Sequence, residues 1–234
     1  MIEGTQAAKN IEQVLVVMAH PDDAEFTCSG TLAKWIEAGR QAHYVVCTSG
    51  DKGSKDPNMT PHHLAAIREE EQLAAARVLG IETVTFLRHK DGELEPSKEF
   101  RAELAMLIRR YKPDIVITHD AWRPYLLHPD HRAVGITTCD AIVAARDHLF
   151  LPGQTSIGLE AVEPAELYLW GAAEPDYFED ITGTIEQKLN ALSQHKSQLR
   201  RPNWSERIRK WAIDTGKPHD MVYAEAFKRI SFRR

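Results

Sequence analysis

The feature that most constrains this chain is residues 14–40, VLVVMAHPDDAEFTCSGTLAKWIEAGR. Residues 14–19 are all apolar and rich in β-branched side chains, and the run is only as long as a strand, which argues for a fully buried strand of a parallel sheet. The run stops at His20. Pro21 has no N–H to give to a ladder, and Asp22, Asp23 and Glu25 supply the acidic, capping chemistry of a helix start. Strand should therefore pass directly into helix, with Gly39 at the far end. His20, Asp22 and Asp23 then occupy the connection at the carboxyl end of a strand expected to be central, where open α/β sheets bind their ligands.

An imidazole and a carboxylate from one short loop can supply two metal ligands, while a neighbouring carboxylate left free can take a proton from metal-activated water. A third ligand must come from elsewhere. His128-Pro129-Asp130-His131 follows a second β-branched run, residues 114–118, so another strand could deliver it to the same rim. Taken singly, Asp22 or Asp23 reads as a helix cap and an isolated histidine as a satisfied polar residue. The combination points instead to a zinc hydrolase.

His20-Pro21-Asp22-Asp23-Ala24-Glu25 together with His128-Pro129-Asp130-His131 closely resembles the PIG-L/LmbE-like zinc-dependent N-deacetylases, which act on N-acetylglucosamine-containing conjugates. Weaker echoes are Ser49-Gly50-Asp51-Lys52-Gly53, Arg68-Glu69-Glu70, Asp91-Gly92-Glu93-Leu94, and Lys188 through His195 to Gln198. The order, spacing and strand context of these motifs carry more weight than any one of them.

The resemblance implies that His20, Asp23 and His131 hold Zn2+, although two histidines and one aspartate also suit another divalent metal such as Fe2+. It makes Asp22 the general base and His128 a protonated group that stabilises the oxyanion or helps the amine leave. Asp130 either orients His128 or is a turn residue, and Glu25 is structural. Arg68 either reaches sugar hydroxyls or pairs with Glu69 or Glu71 on its own helix. Asp120 and His119 should line the cavity, and His195 should approach it from the C-terminal helix. One departure matters: some relatives of this kind carry a tyrosine two residues before the histidine matching His128, and this chain has Leu126 there, with Tyr125 one place earlier. Trp122, Arg123 and Tyr125 offer instead aromatic faces and a cation for the rim. The resemblance further implies a homo-oligomer, with a hexamer as one form.

The expected reaction is metal-assisted hydrolysis of an N-acetyl group on a small amino-sugar conjugate, releasing acetate and a free amine. One alternative is a zinc amidase acting on a larger thiol-sugar amide. Another is a non-catalytic metal- or ligand-binding α/β protein, against which the intact Asp22 argues. A nucleotide-binding protein is disfavoured, because the first strand-to-helix turn carries two carboxylates in place of GxGxxG.

The rest of the chain alternates strand and helix. Strands are expected over 42–48, 84–87, 114–118 and 166–170, and helices over 62–79, 100–111, 131–148 and 181–199. Residues 204–211 read as helical, while 221–230 are ambiguous between helix and strand. This pattern predicts a single Rossmann-like, doubly wound, mostly parallel sheet with helices on both faces. At 234 residues and 43% hydrophobic content, one domain over 1–234 suffices, with a core of about 13–200 and a C-terminal extension over 201–234. A net charge of −5 gives no reason to expect nucleic-acid binding, and Arg200-Arg201 and Arg233-Arg234 read as solvated surface. Cys28, Cys47 and Cys139 form neither a CxxC pair nor a disulfide pattern. Residues 1–10 lack the blocks of a secretory signal, and no stretch is apolar and long enough for a membrane span, so the cytoplasm is the expected location.

Overall fold

The computed structural model describes residues 12–232. Residues 1–10, which lack the blocks of a secretory signal, and the Arg233-Arg234 pair lie outside them. In chain order the elements are β1 (Gln13–Met18), α1 (Asp23–Thr27), α2 (Ser29–Glu37), β2 (Gln41–Thr48), α3 (Pro61–Leu79), β3 (Thr83–His89), α4 (Lys98–Tyr111), β4 (Ile115–His119), α5 (Pro129–Arg146), α6 (Pro152–Ser156), β5 (Glu166–Trp170), β6 (Tyr177–Asp180), α7 (Ile185–Leu192), α8 (Trp204–Gly216) and β7 (Ala224–Ser231). The seven strands form one sheet in the order β3-β2-β1-β4-β5-β7-β6. From β3 to β5 all neighbours are parallel, and β7 runs antiparallel to both β5 and β6.

The alternation of β1 explains the layers. Leu15, Val17 and Ala19 face a core built with Leu104, Ile108, Val134 and Ile142 of α4 and α5, whereas Val14, Val16 and Met18 face Leu32 and Trp35 of α2 and Ala75 and Leu79 of α3. Burial of both faces is why the strand reads as a continuous apolar run. A third cluster, Ile185, Leu189, Ile208 and Ala212 among its members, joins α7 to α8. Helix ends follow local chemistry: the Thr60 hydroxyl accepts the His63 N–H at the start of α3, the Ser97 hydroxyl accepts the Phe100 N–H at the start of α4, and Gly80 closes α3 in the left-handed region.

The doubly wound, mostly parallel sheet is as expected, with β1 at the centre of its five parallel strands. Three elements differ. The helix expected to run unbroken from Asp22 to Gly39 breaks at Cys28, which separates α1 from α2. The helix expected over 181–199 is confined to Ile185–Leu192, followed by turns. The ambiguous segment near 221–230 is β7, inserted between β5 and β6, so residues expected to form an extension complete the sheet. Its antiparallel edge partner β6 has no recognisable apolar run, because its four residues, YFED, are only partly buried. Because the order reverses between β1 and β4, the carboxyl ends of these adjacent strands open a crevice.

Candidate active site

Each strand from β1 to β4 delivers residues to that crevice. His20 to Asp23 follow β1, Ser49 and Gly50 follow β2, Asp91 follows β3, His119 ends β4, and His128 and His131 lie at the start of α5. The turn after β1 is tight: the Asp23 N–H donates to His20 O at 3.3 Å, and Asp22 adopts φ +100°, a conformation L residues rarely take. Asp22 N–H donates to Gln72 Oε1 at 3.0 Å, which steadies that backbone.

The structure brings His20, Asp23 and His131 together. His20 Nδ1 lies 3.2 Å from His131 Nε2 and 3.6 Å from Asp23 Oδ2, and His131 Nε2 lies 3.4 Å from Asp23 Oδ1. Tetrahedral ligands at zinc–nitrogen and zinc–oxygen distances of about 2.0–2.1 Å stand roughly 3.3–3.4 Å apart, so this spacing suits a divalent ion. The protonation pattern suits it too. His20 Nε2 faces Asp130 Oδ2 at 3.0 Å and Asp91 Oδ1 at 3.1 Å, and carboxylates only accept, so Nε2 carries the hydrogen. In the neutral ring the Nδ1 lone pair is then free toward Asp23 and His131, the arrangement in which a carboxylate orients a metal-binding histidine. Burial disfavours charge on His20, but Asp130, Asp23 and Asp91 outweigh it and raise its pKa well above the ordinary value. The same carboxylates would attract a metal cation.

Asp22 stands beside this triad. Burial pushes its carboxyl up to about 6, with Arg68 opposing and the charge of Asp23 adding. Arg68 is buried and donates through Nη2 to Pro21 O at 2.5 Å and Asp22 Oδ2 at 3.3 Å, and through Nη1 to Gly50 O at 3.0 Å. The pairing of Arg68 with its own helix is therefore corrected: Glu69 receives Arg88 and Ser49, and Glu71 receives Ser197. Gly50, at φ +63°, makes the approach possible, since a Cβ there would sit 2.1 Å from Arg68 Nη1.

His128 caps α5 at the exposed mouth, its ring 4.7 Å from that of His20 and stacked 4.5 Å from that of His131. Burial, then the charges of His20 and His131, lower its pKa, so the proton expected on His128 is disfavoured here. Asp130 does not orient His128. It sits one turn-position inside α5, where its carboxylate turns to His20 and also accepts the N–H groups of Gly92 and Leu94 at 2.7 and 3.2 Å. Asp120 Oδ1 accepts the Trp122 N–H within its own turn, and Tyr125, at φ +62°, is 93% exposed, so neither joins the buried cluster. Glu25 is structural as expected, fully buried with Gln72 Nε2 donating to it at 3.1 Å and His195 Nε2 3.2 Å away.

Asp91 is the site residue that sequence reasoning missed. Asp-Gly reads as a turn, yet this carboxylate also accepts the Lys52 N–H at 3.1 Å. Burial opposes its charge, but His20 and then Lys52 and Arg68 bring it down to about 2. Its place just past β3, on the rim shared by β1 and β4, was the available signal.

The PIG-L family, described as GlcNAc-PI de-N-acetylase, matches residues 15–142. Diacetylchitobiose deacetylase of Thermococcus kodakarensis is 32% identical over 94% of this chain and 83% of its own length. The solved structure of N,N'-diacetylchitobiose deacetylase from Pyrococcus horikoshii with its inhibitor MPG superposes with a TM-score of 0.90 at 32% identity, covering 95% of this chain and 85% of that one. GalB, the 4-carboxy-2-hydroxymuconate hydratase of Pseudomonas putida, is also similar, with a TM-score of 0.81 at 25% identity over 96% and 98% of the two chains.

Proposed function

Because the chain belongs to the PIG-L family of GlcNAc-PI de-N-acetylases, we propose that it hydrolyses the N-acetyl group of a small N-acetylglucosamine-type conjugate, releasing acetate and a free amine. The approach of His20 Nδ1 to His131 Nε2 at 3.2 Å, each within 3.6 Å of one oxygen of the Asp23 carboxylate and with the carboxylate of Asp22 alongside, carries this reading. Those three side chains would hold a divalent ion, zinc in the first instance and Fe2+ as the chemical alternative. When bound, the ion would acidify a water and polarise the acetyl carbonyl.

Asp22 would accept the proton of the attacking water, a task suited to a carboxyl already pushed up to about 6. Arg68 would hold that base in place through Nη1 and Nη2, which are engaged with Gly50, Pro21 and Asp22. His128, at the mouth, would offer an imidazole N–H to the developing oxyanion. Asp130 would fix the ring of His20, and Asp91, a second acceptor beside it, would take a substrate hydroxyl. Asp120 and Tyr125 would act only at the outer rim, where Tyr125 and the 62% exposed Trp122 give a flat face to a sugar ring.

No helix among the described residues is long and apolar enough to cross a membrane. Three free cysteines fit the reducing cytoplasm, where we place the reaction. Exposed Leu127, Leu149 and Ile157 are apolar surface that further copies in a homo-oligomer would cover, a hexamer included. Product analysis tests the function. Metal-loaded protein should release acetate and primary amine in equal amounts from at least one N-acetylglucosamine conjugate in a panel of chitooligosaccharide, inositol-linked and malate-linked compounds. Folded, metal-loaded protein that releases no acetate from any of them, or that hydrates an enoic acid as GalB's name describes, contradicts it.

A further inference from the structure

Trp170, His119 and Asp23 form a buried line across three adjacent strands. Trp170 ends β5 and is the register partner of His119 at the end of β4, which in turn neighbours β1, whose connection carries Asp23. All three are at most 9% exposed. Trp170 Nε1 lies 3.1 Å from His119 Nδ1, and His119 Nε2 lies 3.3 Å from Asp23 Oδ2. The His119 ring also stacks on that of His131 at 4.3 Å.

The ends of this line fix its middle. An indole N–H can only donate and a carboxylate can only accept. A hydrogen on His119 Nε2 satisfies both contacts. A hydrogen on Nδ1 would oppose the Trp170 N–H and turn a lone pair on Asp23; a hydrogen on Nε2 opposes only the Ala19 N–H, which approaches Nε2 at 3.3 Å, and keeps the contacts to the indole and the carboxylate. Trp170 therefore selects the tautomer. Asp23 Oδ2 then receives two donors, the His20 N–H at 2.8 Å and His119 Nε2–H, and Oδ1, which faces His131 Nε2, is the oxygen left over.

We propose that Trp170 and His119 are positioning residues for the metal centre: the indole N–H locks His119 with its hydrogen on Nε2, and His119 holds Asp23 so that Oδ1 is the ligand. This rests on the metal reading above. Partners of this kind are worth about 10–100-fold in metal affinity.

The test is zinc affinity, measured by competition with a chromogenic chelator on wild type and on Trp170→Phe, which keeps an aromatic ring but removes the donor together with part of the indole's volume. Trp35→Phe is the control, because Trp35 Nε1 also donates in the core, to Glu179 Oε2 at 3.1 Å, away from the triad. We expect the zinc dissociation constant to rise ~10–100-fold in Trp170→Phe and to stay at the wild-type value in Trp35→Phe. Nitrogen NMR of His119 should show the hydrogen on Nε2 in wild type. Wild-type zinc affinity in Trp170→Phe, or a hydrogen on Nδ1, overturns the relay while leaving the metal site standing. A wild type that binds no zinc overturns the metal reading itself, and the relay with it. Should Trp170→Phe not fold, His119→Gln and His119→Leu decide: the glutamine amide can accept from Trp170 and donate to Asp23, so it should bind zinc more tightly than the leucine variant, and equal affinities overturn the relay.

Discussion

Gln72 Oε1 accepts the backbone N–H of Asp22 at 3.0 Å while Gln72 Nε2 donates to Glu25 Oε1 at 3.1 Å, so one fully buried amide grips both sides of the turn that carries the proposed base. Its orientation is not free, because the backbone group only donates and the carboxylate only accepts. Gln72→Leu removes the acceptor of the Asp22 N–H and one of the two partners of Glu25 in the core, and should cost ~2–4 kcal/mol. The turnover number should fall more than the Michaelis constant changes, since the base shifts while the sugar contacts remain. Urea unfolding and steady-state kinetics check this; a variant as stable and as active as wild type contradicts it.

Asp22 combines φ +100° with a carboxylate next to that of Asp23. Asparagine tolerates positive φ and carries no charge, so Asp22→Asn should unfold at the same or a higher temperature than wild type. Its activity should nevertheless fall by ~10²–10⁴, the usual contribution of a general base. Thermal unfolding beside initial rates separates the two effects. Loss of activity accompanied by loss of fold would count against the assignment.

Gly50 makes room for Arg68. Gly50→Ala would place a methyl 2.1 Å from Arg68 Nη1 at φ +63°, so the guanidinium must leave Pro21, Asp22 or Gly50 O. Expected costs are ~1–3 kcal/mol from strain and overpacking, with at least a ~10-fold fall in kcat/KM. Denaturation and kinetics on the same preparation test both, and an alanine variant with wild-type kinetics would show that Arg68 is not needed where it sits.

How far these features were legible in the chain depended on how local they were. His20 and Asp23 could be read because they follow a buried, β-branched strand directly, and His131 because its motif comes next after a second such strand; strand ends on one rim must meet. The partners of Arg68 could not, since its carbonyl acceptors at Pro21 and Gly50 come from two different loops, and helix spacing offered Glu69 and Glu71 instead. Asp130 pointed sequence reasoning to its neighbour His128, yet the helix carries its side chain to His20 and to the loop at Gly92. Strand β7 was obscured for another reason: in AEAFKRIS the apolar residues keep neither strict alternation nor helical spacing, because Phe227 packs on one side of the sheet, Ile230 on the other, and the buried Glu225 is polar. The break at Cys28 had no sequence signal; it is tied to Glu225, which accepts the N–H groups of Gly30 and Thr31 at 3.0 and 2.7 Å from a strand nearly two hundred residues away.

His195 gives the fold a pH dependence. It is fully buried beside Glu25, with Asp22 and Glu71 also bearing on it; burial lowers its pKa, and these carboxylates outweigh burial and raise it. A raised histidine stabilises the fold fully below its unfolded value of about 6.5, and that stabilisation is lost as pH rises through the folded value. His195→Gln, which cannot take the charge, should therefore be less stable than wild type by the widest margin at about pH 6, with the gap narrowing toward alkaline pH. Denaturation of both proteins with chelator present, across this range, measures it. A gap that does not change with pH would contradict the charged pair.

The most direct test of the central claim is acetate release by zinc-loaded wild type, by the same protein after chelation, and by zinc-loaded Asp22→Asn, on whichever N-acetylglucosamine conjugate turns over fastest. The account predicts release by the first only, restored to the chelated sample when zinc returns, with Asp22→Asn folded, metal-bound and nearly inactive. Acetate release at the wild-type rate by zinc-loaded Asp22→Asn, or by fully chelated wild type, would contradict it.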